Sequence, residues 1–94
     1  MDNPEIDEDG SKFWWVGLQL HRIDGPAIEW ADDGKEWWVS GIRHRTDGPA
    51  CEWPDGRVTQ RWYLNGEKYK FDEWLDVNSD LTHEQKVMMK LTHG

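Results

Sequence analysis

The stretch His-Arg-Ile-Asp-Gly-Pro-Ala at residues 21–27 returns as His-Arg-Thr-Asp-Gly-Pro-Ala at residues 44–50, an offset of 23. The same offset carries Trp14-Trp15-Val16 onto Trp37-Trp38-Val39. A third, partial copy opens at Trp62-Tyr63-Leu64 and departs from the pattern after Asn65-Gly66. A fixed period of this kind means that one supersecondary unit is stacked on copies of itself, because a single unit cannot bury its own apolar face.

Each unit reads as an aromatic pair with an aliphatic, a Gly-containing turn, His-Arg-x-Asp-Gly-Pro-Ala, a short x-Glu-Trp segment and a second turn. Asp33-Gly34 and Asp55-Gly56 are hairpin-tip dipeptides, since Gly accepts positive φ and Asp tolerates it. The flanks, Ala27 to Trp30 with Lys35 to Val39 and Ala50 to Trp53 with Arg57 to Leu64, have strand composition. Pro26 and Pro49 lack an N–H donor and belong at a turn or a strand's first residue. After Lys70 the period changes: Phe71, Trp74 and Leu75 share one helical face, and Thr82 with Gln85 forms a capping box that opens a second helix through about Leu91. The expected fold is α+β, an antiparallel β-meander of tandem hairpin repeats over residues 11–70 followed by two short C-terminal helices over 71–94. Those helices either cover the sheet or offer Val87, Met88, Met89 and Leu91 as a Met-rich contact surface.

The HRxDGPA…DG…WWxxG pattern resembles the MORN-repeat variants found in small proteins of phages and giant viruses. The resemblance spans about residues 13–69. It implies a β-meander and an interaction role, and such repeats carry no enzymatic activity by themselves. Two departures stand out. Gly17 is replaced by Ser40 with Gly41 one place later, and the last copy has Tyr69-Lys70-Phe71-Asp72 where His-Arg-x-Asp is expected, as in a capping unit that ends an array.

Charge is unevenly placed. The chain totals -8 at pH 7, yet the repeat region is balanced and the excess lies in the two flanks. Residues 1–10 (Asp2, Glu5, Asp7, Glu8, Asp9) have no base and little apolar surface, so a flexible acidic tail is expected, with mimicry of phosphates toward a basic groove as its sharper role. An acidic whole argues against docking on duplex nucleic acid. No segment is long and apolar enough for a membrane span, and nothing in the acidic start marks the chain for secretion, so a cytoplasmic protein is expected. The single cysteine, Cys51, takes the place of Ile28 in the repeat and reads as a small buried hydrophobe.

Strand alternation splits each aromatic pair. With Trp14, Val16, Trp37, Val39, Trp62 and Leu64 toward a core, Trp15, Trp38 and Tyr63 form a column on the other side. That column is either a binding platform or a second core layer under the helices. His21-Arg22 and His44-Arg45 are the polar candidates: the arginines could fork onto an anion or a partner, but Asp24 and Asp47 favour an ion-paired structural turn. No metal-ligand spacing, catalytic triad, nucleophile elbow or phosphate loop is present, so no cofactor, metal or catalytic residue is expected. The function expected is a non-enzymatic binding module, a phage-encoded inhibitor of a host defence or nucleic-acid protein. The alternative is a sponge for a small nucleotide signal that stacks on the column, and an enzyme is the remote one. An unpaired sheet edge makes a homo-oligomer conceivable.

Overall fold

Two-residue turns and the residues that allow them set the architecture. The computed structural model describes residues 3–54 and 60–93. Its short strands are β1 (Glu5–Ile6), β2 (Lys12–Phe13), β3 (Trp15–Val16), β4 (Gln19–Leu20), β5 (Ile28–Glu29), β6 (Lys35–Glu36), β7 (Trp38–Val39), β8 (Ile42–Arg43), β9 (Cys51–Glu52), β10 (Trp62–Leu64) and β11 (Glu67–Tyr69). Helices α1 (Phe71–Val77) and α2 (His83–His93) follow. The result is the expected α+β meander. An antiparallel sheet in the order β1-β2-β5-β6-β9 lies beside the hairpins β3–β4, β7–β8 and β10–β11.

The first tryptophan of each pair joins the two parts. Trp14 N–H donates to Ala27 in the sheet (2.8 Å), and its carbonyl accepts from His21 in the hairpin (3.0 Å). Trp37 does the same with Ala50 (2.7 Å) and His44 (3.2 Å). The strand therefore bends at this residue, passing from the inner sheet to the outer hairpin.

The Gly17/Ser40 departure has a conformational reason. Val16 pairs with Gln19 across Gly17-Leu18, where only Gly17 has positive φ (60°), the signature of a type II′ turn. Val39 pairs with Ile42 across Ser40 (52°) and Gly41 (79°), and Leu64 with Glu67 across Asn65 (52°) and Gly66 (85°), both type I′ turns. Both turn types twist as the flanking strands do, so the hairpin survives the change. At the Asp33-Gly34 tip, by contrast, positive φ falls on Asp33 (71°). Gly34 is needed for another reason: a Cβ there would collide with the Trp53 indole. Asp55-Gly56 lies outside the described residues.

The N-terminal segment corrects the expectation of a flexible tail. Glu5 pairs with Phe13 as Ile28 pairs with Glu36, one repeat period further along the chain. The turn bonds repeat as well. Asp7 N–H to Ser11 O (3.0 Å), Gly10 N–H to Asp7 O (3.1 Å) and Ser11 N–H to Asp9 Oδ1 (3.0 Å) match Trp30 to Gly34 (2.8 Å), Asp33 to Trp30 (3.0 Å) and Gly34 to Asp32 Oδ1 (3.2 Å). Residues 5–13 are thus the second half of a further unit, and Asp7 and Asp9 spend their carboxylates on local backbone N–H groups. The repeat sheet begins at residue 5, and Asp2 lies outside the described residues.

At the other end the array is closed by helix. Trp62, Leu64, Trp74 and Leu75 form the buried cluster, with Tyr69, Phe71, Leu81 and Met89 packed against it. Trp74 Nε1 donates to Arg45 O (3.2 Å) and Asn78 Nδ2 to Thr46 O (2.8 Å), so α1 is pinned to the second His-Arg loop where a third loop would otherwise stand. The predicted capping box starts α2: Thr82 N–H donates to Gln85 Oε1 (2.8 Å) and Gln85 N–H to Thr82 Oγ1 (3.1 Å). Met89 turns inward, whereas Val87, Met88 and Leu91 are exposed.

Candidate functional site

The repeated His-Arg-x-Asp-Gly-Pro residues hold the scaffold together. The Arg22 guanidinium lies 3.9 Å from the centre of the Trp14 ring, donates through Nε to Asp24 Oδ1 (3.1 Å) and through Nη1 to Pro26 O (3.1 Å), and pairs with Glu29 (3.5 Å). Arg45 repeats the set on Trp37 (3.6 Å), Asp47 (2.7 Å), Pro49 O (3.0 Å) and Glu52 (3.7 Å). One side chain thereby stacks on the tryptophan, closes the turn and reaches the next strand. A cation over an indole contributes about 0.5–1 kcal/mol at an exposed site and more where desolvated. These arginines are not poised as free forks for an anion.

The histidines join one unit to the next. His21 Nδ1 accepts from Ser40 N–H (2.8 Å), and His44 Nδ1 accepts from Asn65 N–H (2.9 Å). Each imidazole thus satisfies the first residue of the following type I′ turn, which the hairpin itself leaves without a partner. An accepting Nδ1 places the ring proton on Nε2. Sequence spacing gave no sign of this long-range role, because donor and acceptor lie 19 and 21 residues apart.

Trp15, Trp38 and Tyr63 hold equivalent positions in β3, β7 and β10, one place before the residue that closes each hairpin, and among the described residues no ring contact joins them. Trp15 is 45% exposed and its Nε1 donates to Glu5 Oε1 (3.0 Å). The Arg43 guanidinium lies 4.9 Å from the centre of the Trp38 ring and 5.3 Å from that of Tyr63. Along the hairpins the row runs Trp15, Leu20, Trp38, Arg43, Tyr63, so an aliphatic side chain follows the first ring and a cation the second. Val16, placed with the core by alternation, is exposed, because the β3–β4 hairpin projects beyond the packed region.

Trp38 and Arg43 converge on a residue that the sequence did not single out. Glu36 is buried, with its side chain 7% exposed, and it accepts from Trp30 Nε1 (2.8 Å) on Oε2 and from Trp38 Nε1 (3.0 Å) and Arg43 (3.3 Å) on Oε1. The repeat hid it: its counterpart one period earlier is Phe13, and that of Arg43 is Leu20. A Glu and an Arg both entering at apolar positions of one unit were the available signal. Cys51, in register with Glu36, is buried as expected. Burial and the Glu36 carboxylate push its thiol up to about 11, which removes it as a nucleophile at neutral pH.

A cleft of about 550 Å³ runs along the opposite side between the two His-Arg loops, lined by Ile23, Trp37, His44, Arg45 and others, with the Asp24 and Asp47 carboxylates at its rim. Among the described residues no group of three His, Cys, Asp or Glu side chains is placed to hold a metal ion, and no helix is long and apolar enough to cross a membrane. Comparison with protein-family models, with curated proteins and with solved structures finds no match to this chain.

Proposed function

We propose that this chain is a non-enzymatic protein-binding module whose contact side carries Trp15, Trp38 and Tyr63. The observation behind the reading is the one-sided closure of the fold. The helices pack over Trp62, while Trp15 on the other face is 45% exposed and Leu18, in the turn of the same hairpin, is 97% exposed. Tryptophan and arginine are enriched at interface hot spots, and the Arg43 guanidinium lies 4.9 Å from the centre of the Trp38 ring. The resemblance to MORN-repeat variants adds the expectation of a phage-encoded protein that inhibits a host defence or nucleic-acid protein. Nucleotide capture has less support, since Arg22 and Arg45 are engaged internally and the three rings do not stack.

The test is mass spectrometry of protein purified from host extract, analysed native and then denatured. A co-purifying host protein lost in Trp15→Ala supports the reading, and a released small molecule supports the nucleotide alternative. Trp15 is the better probe than Trp38, whose removal would also strip a donor from buried Glu36. Retention of the partner by a folded Trp15→Ala variant removes the aromatic side from consideration.

A further inference from the structure

The repeat arithmetic leaves one position unfilled. Inside the array, each outer hairpin receives an x-His-Arg strand from the unit before it. On β7–β8, Arg22 N–H donates to Trp38 O (3.1 Å), Gly41 N–H to Leu20 O (2.9 Å) and Ser40 N–H to His21 Nδ1 (2.8 Å). On β10–β11 the same three bonds join Arg45 to Tyr63 (3.3 Å), Gly66 to Arg43 (2.9 Å) and Asn65 to His44 Nδ1 (2.9 Å). Residues 5–13 restore only the sheet half of the unit before β3–β4. Among the described residues, no x-His-Arg strand lies on that hairpin.

Moving back by one repeat period from Trp38 and Ser40 gives the vacant partners, the Trp15 carbonyl and the Gly17 N–H. Val16 and Gln19 close the two-residue hairpin, so the backbone groups of Trp15 point outward to the edge. Among the described residues neither group has a hydrogen-bond partner. The third bond does not carry over, because a type II′ turn reverses the central peptide and with it the Leu18 N–H.

We propose that the outer edge of β3 is a docking slot for an extended segment of another protein reading x-His-Arg or x-His-Lys, which adds a strand and completes the missing half-unit. This rests on the reading of the chain as a protein-binding module and specifies the partner's chemistry. Backbone bonds supply affinity in strand addition and side chains supply specificity. Here the partner's His takes the Gly17 N–H as His21 takes that of Ser40. The basic residue suits the Glu5 carboxylate, which sits 3.0 Å from the Trp15 indole nitrogen, and a chain of net charge -8. A second copy fits poorly. Like-charged edges repel, both x-His-Arg strands are already used internally, and β11, the second strand of the last hairpin, offers Tyr69 in place of His, with its phenol donating to Glu67 (3.1 Å).

The probe is a blocked synthetic peptide of sequence Gly-Ile-Arg-His-Arg-Thr, copied from residues 41–46, titrated into the ¹⁵N-labelled full chain. The Gly17 amide is expected to shift and its hydrogen exchange to slow, with weakening as salt is raised. A peptide with His changed to Ala should bind about fivefold to tenfold more weakly, the equivalent of one hydrogen bond. The slot is overturned by no change at Gly17, by shifts centred on Lys68 and Tyr69, by equal binding of the His-to-Ala peptide, or by a Gly17 amide already protected in a protein that sediments as a dimer. The two readings fail separately. A silent Gly17 together with Trp15-dependent capture of a host protein overturns the slot alone, and peptide docking in Trp15→Ala without any captured protein overturns the aromatic side alone.

Discussion

Replacing Glu36 by glutamine isolates the value of a buried carboxylate at the centre of the aromatic side. The change keeps the volume but leaves one carbonyl oxygen for donors that now share two. If that oxygen stays with Trp38 and Arg43, the new amide N–H₂ confronts the Trp30 indole N–H across what was a 2.8 Å bond; if it flips, Trp38 and Arg43 are abandoned instead. An orphaned buried donor costs about 1–3 kcal/mol. The lost charge pair adds little, because Arg43 is 37% exposed on its side chain and rehydrates. The expected total is about 1–2 kcal/mol, and in a domain of this size each kcal/mol lowers Tm by about 4–8 °C. A thermal melt followed by near-ultraviolet circular dichroism should therefore show a drop of roughly 5–15 °C. Glu29→Gln, at the more exposed Arg22 pair, should shift it by a few degrees at most. A Glu36→Gln melt within about 2 °C of the parent, on the same scaling, would refute the idea that this carboxylate organises the aromatic side.

Three further outcomes follow from single contacts. Ser40→Asn should stabilise the fold by a few tenths of a kcal/mol to about 1 kcal/mol in urea titration, since Ser40 sits at φ 52° in a type I′ turn that prefers Asn-Gly; a loss of stability contradicts the turn assignment. Gly34→Ala should cost about 1–3 kcal/mol by driving the Trp53 indole off Asp32, and most of that cost should vanish in a Trp53→Ala background. Cys51 has its thiol raised from 9.0 to about 11, so the folded state gains from the neutral thiol below pH 9 and loses that gain as pH rises toward 11. Urea midpoints should fall across that window by more in the parent than in Cys51→Ala, and thiol labelling at pH 8 should require unfolding.

The parts of the fold written locally were readable in the residues. Turn dipeptides, the capping box at Thr82 and Gln85, and the i, i+3, i+4 spacing of Phe71, Trp74 and Leu75 each act within a few positions of chain, so the local order of residues located them. The half-unit at residues 5–13 escaped because its sequence kept only Asp9 and Lys12 in common with Asp32 and Lys35, while its backbone bonds were conserved in register. Glu36 escaped for the opposite reason: a repeat directs attention to what recurs, and this carboxylate acts by differing from Phe13. The roles of His21 and His44 depend on which hairpin stacks on which, a fact of topology and not of spacing. In the same way, alternation placed Trp15, Trp38 and Tyr63 on one side but could not foresee Arg43 between two of the rings.

The histidine-to-turn bonds have a bearing on how such a chain can change length. Both junctions between units use the same handful of atoms, and the two ends of the described array differ, a sheet half-unit at one and a pair of helices at the other. Duplicating the segment from Ala27 to Pro49 in place would insert one whole unit and leave both ends where they are, with Ile28 of the new copy set against Glu36 where Cys51 now stands. The product would gain one aromatic row and one more arginine-tryptophan clasp per copy. Reach along a partner could therefore be altered by recombination in whole units, with the backbone bonds of each junction kept.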